Sequence, residues 1–273
     1  MKNRIRTSLW LVLPALALSF GAITFATAKI LRRTSAGTAQ NPSKVAKSNR
    51  NNYVRRSLLS SRLALNLSAM GNRLEQPGKE RLILMGSLRA GADTREVAAT
   101  LEFPDRLRFV GPQDRVLTFD GQQTKAVAAD DLDLIETLVY DSAEHFFAAQ
   151  MQGNAMRFLG SRFRTDDGSN PDYNGPYFDV YKIADQIKAS GEERAAKLYY
   201  FNSDTFLLER VTYVINRGGA EINVETRLSD WRGTNGQQVP RRIERVENGR
   251  PVFVLTIWSA SLAQRTDDGI FAQ

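Results

Sequence analysis

Five or six β-type segments follow one another between Tyr177 and Gln264, separated by turns too short for anything but a reversal of direction. They read Tyr177–Ala184, Lys197–Phe201, Phe206–Asn216, Ala220–Trp231, Gln238–Glu247 and Pro251–Leu262. The breaks are turn chemistry: Ala189-Ser190-Gly191, Asn202-Ser203-Asp204, Gly218-Gly219, Asn235-Gly236 and Asn248-Gly249. Asn-Gly and Gly-Gly supply the positive φ angles of two-residue hairpins. Short turns connect only antiparallel neighbours, so the segment is an antiparallel meander.

The rest of the chain is read against that meander. From Tyr53 to Met70, Tyr53, Val54, Leu58, Leu59, Arg62 and Leu63 recur at helical spacing, which predicts a helix before the sheet. The alternation of Leu63, Leu65 and Leu67 leaves a strand open at the end of this segment. Arg81–Arg89 reads as the first strand. Arg95–Phe103 alternates, with Val97, Ala99, Leu101 and Phe103 on one face and Glu96, Ala98, Thr100 and Glu102 on the other. Arg106–Phe109 and Arg115–Phe119 add two more strands. Asp130 and Asp131 then suit a helix start, and apolar residues from Leu132 to Phe147 recur every three or four positions, predicting one helix over 131–150. Met156–Arg164 returns to strand character, and 165–176 reads as a long loop.

The expected class is therefore α+β, mainly β, with about eleven strands and two or so helices. In Ala220–Trp231, Ile222, Val224, Thr226 and Leu228 face one way and Glu221, Asn223, Glu225 and Arg227 the other. One sheet face is dry and one wet. Two modest helices cover only part of such a dry face, so the sheet must curl over it as an open or half barrel. Two fillings satisfy this count: a packed core, or a core that keeps an apolar cavity.

Charge and composition exclude several functions. Of the 37 Lys and Arg, eleven lie in residues 1–57, which carry no acid; residues 58–273 carry 26 bases and 30 acids, a balance of −4. The basic excess belongs to the tail, so the folded part offers no nucleic-acid footprint and nucleic acid is not an expected partner. The chain has no cysteine, which removes disulfides, thiol nucleophiles and Cys-type zinc or iron–sulfur sites. A Ser-His-Asp triad would have to use His145, which sits in the helical pattern beside Phe146 and Phe147. Asp166-Asp167-Gly168-Ser169-Asn170-Pro171-Asp172 lacks the alternating acids and closing Glu of a calcium loop and reads as a surface turn. Asp130, Asp131 and Asp133 read as helix-start charges. Catalytic residues, metal and cofactors are each read as none.

Lys2, Arg4 and Arg6 precede an apolar run from Leu9 to Ala28 that ends in Ala26-Thr27-Ala28. This is a secretory signal pattern with cleavage after Ala28, while the run is also long enough to serve as an uncleaved anchor. The expected organisation is a leader at 1–28, a flexible basic linker at 29–52, one domain at 53–264 and a tail at 265–273. The linker's small, polar residues cannot bury enough surface to order themselves, and its charge could lie on anionic lipid headgroups.

The order of leader, linker, helix, strands, helix and meander resembles the periplasmic lipoprotein-carrier superfamily (LolA/LolB-like, outer-membrane lipoprotein-sorting type). The local likeness lies in Leu101-Glu102-Phe103-Pro104-Asp105-Arg106-Leu107-Arg108 with Leu117-Thr118-Phe119-Asp120-Gly121, and in Lys197-Leu198-Tyr199-Tyr200-Phe201 leading to Leu207-Leu208-Glu209-Arg210. It continues in Asp230-Trp231-Arg232 and in Gly236-Gln237-Gln238-Val239-Pro240-Arg241-Arg242-Ile243. The resemblance spans roughly residues 58–263. It implies an open curved sheet with helices over its mouth and an interior that takes acyl chains of lipids or lipoproteins without covalent chemistry. The expected cavity residues are Leu84, Leu101, Phe103, Phe109, Phe119, Phe158, Tyr213, Val224, Leu228 and Trp258. The protein is expected to be a non-enzymatic monomer, periplasmic or secreted, or anchored to the inner membrane with its domain in the periplasm. The other functional readings are an envelope sensor or interaction module on the same fold, and a hydrolase built on carboxylates.

Overall fold

In the computed structural model of the protein, residues 61–71, 80–103, 105–112, 115–121, 129–151, 156–163, 177–184, 196–266 and 269–271 are described. The expected leader and linker, the first part of the 53–70 helix and the 165–176 loop lie outside them. Helix α1 covers residues 61–70, so the strand left open at the end of that segment does not form. Four strands follow: β1 (Glu80–Ala90), β2 (Asp93–Glu102), β3 (Arg106–Val110) and β4 (Val116–Phe119). Then come α2 (Ala129–Ile135), a π-helical turn (Glu136–Tyr140) and α3 (Ala143–Met151). The meander completes the fold with β5 (Met156–Phe163), β6 (Tyr177–Ile183), β7 (Lys197–Asn202), β8 (Leu208–Arg217), β9 (Ala220–Thr234), β10 (Gln237–Glu247) and β11 (Arg250–Gln264).

All eleven strands form one antiparallel sheet in the order β4-β3-β2-β1-β11-β10-β9-β8-β7-β6-β5. The sheet is open. Its single non-sequential neighbours are β1 and β11, which join two meanders into one surface. This order places β4 and β5 at opposite edges, ten strand spacings or about 48 Å apart measured along the sheet at ~4.8 Å each. The chain between them must cross the sheet, and it does so as α2, the π turn and α3.

The hairpins follow the turn chemistry. Asn235 and Gly236 have φ of 49° and 76°, Asn248 and Gly249 47° and 78°, and Gly218 and Gly219 62° and 83°. Paired positive values are the twist-matched hairpin geometry that Asn-Gly and Gly-Gly favour. The strand expected from Phe206 starts at Leu208 instead, because Phe206 has a φ of 60° and closes a turn. Asn202 organises that turn: its Oδ1 accepts from the backbone N–H groups of Asp204 (2.8 Å) and Thr205 (3.1 Å). Bulges at Met85/Gly86, Arg245/Val246, Phe158/Gly160 and Tyr200/Phe201 bend the strands.

Alternation holds on the dry face. Val97, Ala99, Leu101, Val224, Thr226 and Leu228 are all buried. One residue of the expected wet face departs from the pattern. Glu102 is buried because Arg81, Arg106 and Arg265 close on its carboxylate at 3.0–3.1 Å. Arg81 also reaches Thr266 and lies over the Phe271 ring, so the tail residues pack on the first strands.

The single helix expected over 131–150 is two helices. The backbone N–H of Asp141 donates to the Glu136 carbonyl (3.0 Å), a five-residue step that ends the first piece. Ser142 starts the second: its Oγ accepts from the His145 backbone N–H at 3.0 Å, as an N-cap does. The break lets one connection serve two cores. Leu134, Ile135, Leu138 and Val139 join β1–β4, β10 and β11 in the first. Ala143, Phe146, Phe147 and Ala149 join α1 and β6–β9 in the second. Phe146 is fully buried there, with ring centroids 4.8–5.4 Å from Phe147, Tyr181, Tyr199 and Phe201. Arg62 of α1 pairs with the buried Asp179 of β6 and fastens that helix to the same core.

The β1/β11 bulge requires Gly86, since a Cβ there would collide with the backbone carbonyl of Thr256. Gly86→Ala should therefore destabilise the domain by about 1–3 kcal/mol. A urea melt should show a lower midpoint with an unchanged slope.

Candidate functional site

Two features stand out on the dry face. One is a cavity, the other a line of buried charge. The cavity has a volume of about 330 Å³ and lies between β1–β4, the start of β11 and α2. Its walls are Leu88, Val97, Phe109, Leu117, Leu134 and Phe253, with the half-buried Val252 beside them. Asp93, Arg95, Arg115 and Asp131 stand at its rim, and Asp133 at its inner end. The rim charges are paired: Arg95 with Asp93 at 3.0 Å, and Arg115 of the β4 approach with Asp131 of α2. Such exposed pairs contribute only about 0–1 kcal/mol each and re-partner readily.

The charged line runs where the two cores meet. Asp141 is fully buried, and its Oδ1 pairs with the ammonium of Lys197, itself 1% exposed. Its Oδ2 accepts hydrogen bonds from Thr226 and from the Tyr213 phenol, the latter at 3.2 Å. Lys197 also pairs with Glu136 at 2.7 Å and lies 4.3 Å from the Tyr213 ring centroid. The Tyr213 oxygen accepts in turn from Arg245 Nη1 at 3.0 Å. Arg245, a large side chain at 1% exposure, continues to Asp133 (3.0 Å), Glu247 (2.8 Å) and Thr137 (3.3 Å). Arg217 closes the line on Asp133 and Glu247 at 2.8 and 3.2 Å.

Burial sets the protonation of this line. It pushes the Asp141 carboxyl up from the usual carboxylate value, against the pull of Lys197. It also pushes Asp133 up, against Arg245 and Arg217. The Tyr213 phenol is held well above its ordinary value by burial first and by Asp141 second. Tyr213 therefore remains a neutral hydroxyl that accepts from Arg245 and donates to Asp141. Every member is engaged by a neighbour, so the line clamps α2, the π turn and Asp141 just before α3 to β7–β10. Asp133 thus has a larger part than a helix-start charge, since it anchors two arginines.

The expected cavity residues fall into several places. Phe109 lines the 330 Å³ cavity. Leu84, Leu101, Phe103 and Leu228 line a separate slot of about 30 Å³ beneath Leu138 and Ala143, room for little more than one water. Phe119 packs in the first core, with its ring 6.0 Å from that of Tyr140. Val224 belongs to the second core, and the half-buried Phe158 packs against it. Tyr213 sits in the ion line, and with Val224 it also borders a more open recess of about 540 Å³ over β6–β10. Trp258 is 53% exposed, on the bulged stretch of β11. Of the five walls outside the expected set, Leu88, Val97 and Leu117 occupy dry positions of the first strands and follow the same alternation, while Phe253 stands on β11 and Leu134 on α2.

Among the described residues no group of His, Cys, Asp and Glu could hold a metal ion, and no helix is long and apolar enough to cross a membrane. The fold is similar to that of a LolA superfamily protein from Nitrosomonas europaea, at 12% identity and a TM-score of 0.48 over 76% of this chain and 96% of that one. It is also similar to an outer membrane lipoprotein-sorting protein domain from Vibrio parahaemolyticus, at 11% identity and 0.47 over 79% and 95%. A DUF1329 family protein from Desulfovibrio piger overlays at 11% identity and 0.48, over 78% of this chain and 97% of that one. No protein-family model and no curated protein matches the sequence.

Lys197→Met leaves Asp141 buried without its cation and should cost about 3–5 kcal/mol. The double change Lys197→Met with Asp141→Leu removes both charges and should recover part of that loss, the remainder being the cost of taking the acceptor from the buried hydroxyls of Tyr213 and Thr226. Denaturant melts of the unchanged protein, of each single variant and of the double variant measure the coupling.

Proposed function

We propose that this protein is an exported, non-enzymatic binder of acyl chains of lipids or lipoproteins, which it holds and passes on in the bacterial envelope. The observation that carries the reading is the 330 Å³ cavity, which has apolar walls from β1–β4, β11 and α2 and a charged rim. Its volume lies at the lower end of ligand sites, about 300–1,000 Å³. Transfer of an acyl chain requires burial and release alone, and each methylene contributes about 0.8 kcal/mol. The leader at 1–28 would deliver the domain to the periplasm or beyond it, or tether it to the inner membrane. The basic segment 29–52 would rest on anionic headgroups, and the domain would work as a monomer.

A fluorescent fatty-acid probe tests the reading. Affinity should fall about tenfold for every two carbons removed from the chain. Leu88→Trp, at a half-buried wall position, should weaken binding at least tenfold while leaving the melting temperature within a few degrees. The absence of probe binding to the intact domain, together with no lipid extracted from the purified protein, would refute it.

A further inference from the structure

We infer that the cavity takes one single-chain amphiphile at a time and that its rim selects a zwitterionic headgroup, a proposal that rests on the acyl-binding reading above. The stoichiometry comes from volume. About 330 Å³ lies at the lower end of the range for single-ligand sites, about 300–1,000 Å³. It suits one tail better than the two or three of a diacyl lipid or a triacylated lipoprotein.

The headgroup comes from the charges that ring the opening. Arg95 and Arg115 are 52% and 57% exposed, and each stands beside an acid, Asp93 and Asp131. The deeper Asp133 is committed to Arg217 and Arg245 at 2.8 and 3.0 Å and stays with the clamp. Among the described residues the rim therefore presents two bases and two acids. A ligand with one anionic and one cationic group can exchange partners with both kinds of rim charge and leave no like charges facing each other. A purely anionic headgroup meets Asp93 and Asp131 as well as the arginines, and a purely cationic one meets the arginines as well as the acids. Phosphocholine and phosphoethanolamine headgroups carry the required pair of charges.

Four amphiphiles with one twelve-carbon tail separate the terms: dodecylphosphocholine, dodecanoate, dodecyltrimethylammonium and dodecyl maltoside, each titrated calorimetrically below its micelle concentration. At ~0.01 M salt, where the screening length is about 30 Å, the zwitterion should bind one-to-one and on the order of tenfold tighter than either singly charged ligand. The preference should vanish at ~1 M, where that length is about 3 Å. Arg115→Gln should shift preference towards the cation and Asp131→Asn towards the anion, with the maltoside unchanged in both. Equal affinities for all four headgroups at low salt would overturn the headgroup assignment and leave the acyl-binding reading standing. Two or more tails bound per protein would overturn the single-chain assignment. Binding of none of the four would sink the acyl-binding reading itself, and attachment to phosphatidylethanolamine vesicles without uptake of monomers would place recognition on a bilayer and overturn the proposal.

Discussion

The carboxylate of Asp141 is the point on which the rest of the structure depends. The connection from β4 to β5 has to cross the whole dry face, and Asp141 is where it changes direction. Lys197 of β7, Tyr213 of β8 and Thr226 of β9 all converge on that one side chain. A buried ion pair contributes little net stability, because desolvation offsets most of the Coulomb attraction. Its geometric demand is another matter. A crossing shifted along the sheet would leave Asp141, Lys197 and Arg245 buried and unpaired, at several kcal/mol for each ion. Apolar packing alone would tolerate such a slip more easily, since it is non-directional. The charged line thus fixes where the helices lie, and the cores fill in around it.

The two cores on either side are filled differently. On the α3 side, four aromatic rings surround Phe146, and α1 closes over them through Arg62 and Asp179. Rings packed edge to face fill space densely and contribute beyond their area. On the α2 side the covering helix has seven residues, and its apolar contribution is Leu134 and Ile135, extended by Leu138 and Val139 of the π turn. Opposite them stand Leu, Val, Ala and Phe side chains from six strands. The shortfall in covering volume on that side is the cavity.

Much of the sheet was legible in the sequence because its signals are local. Asn235-Gly236, Asn248-Gly249 and Gly218-Gly219 each specify a hairpin within four residues, and period-two alternation specifies which face is dry. The helix break was also written locally, in Asp141-Ser142, a pair that suits a helix start better than a helix middle. Apolar periodicity runs through the break without interruption, because both helices cover the same sheet, and it masked that signal. The ion line was illegible for a different reason. Its partners are 56 residues apart for Lys197 and Asp141 and 108 for Arg245 and Thr137, so only the strand order brings them together. Each had an ordinary local reading: Lys197 at a strand start, Arg245 among the charges of β10, Thr226 as a small residue of a dry face.

The same distinction separates the cavity from the expected list of its residues. Alternation identifies every dry-face residue but says nothing about which of them is covered. Leu101 and Val97 lie on the same face of β2, four residues apart, yet Leu101 borders the narrow slot under Leu138 and Ala143 while Val97 walls the open cavity. What differs is the element above them, and the position of that element is set by Asp141 and Asp133, the two acids that tie the crossing to β7–β10. The place where a ligand could enter is therefore decided by Asp141, which lies away from the cavity, and by Asp133 at its inner end.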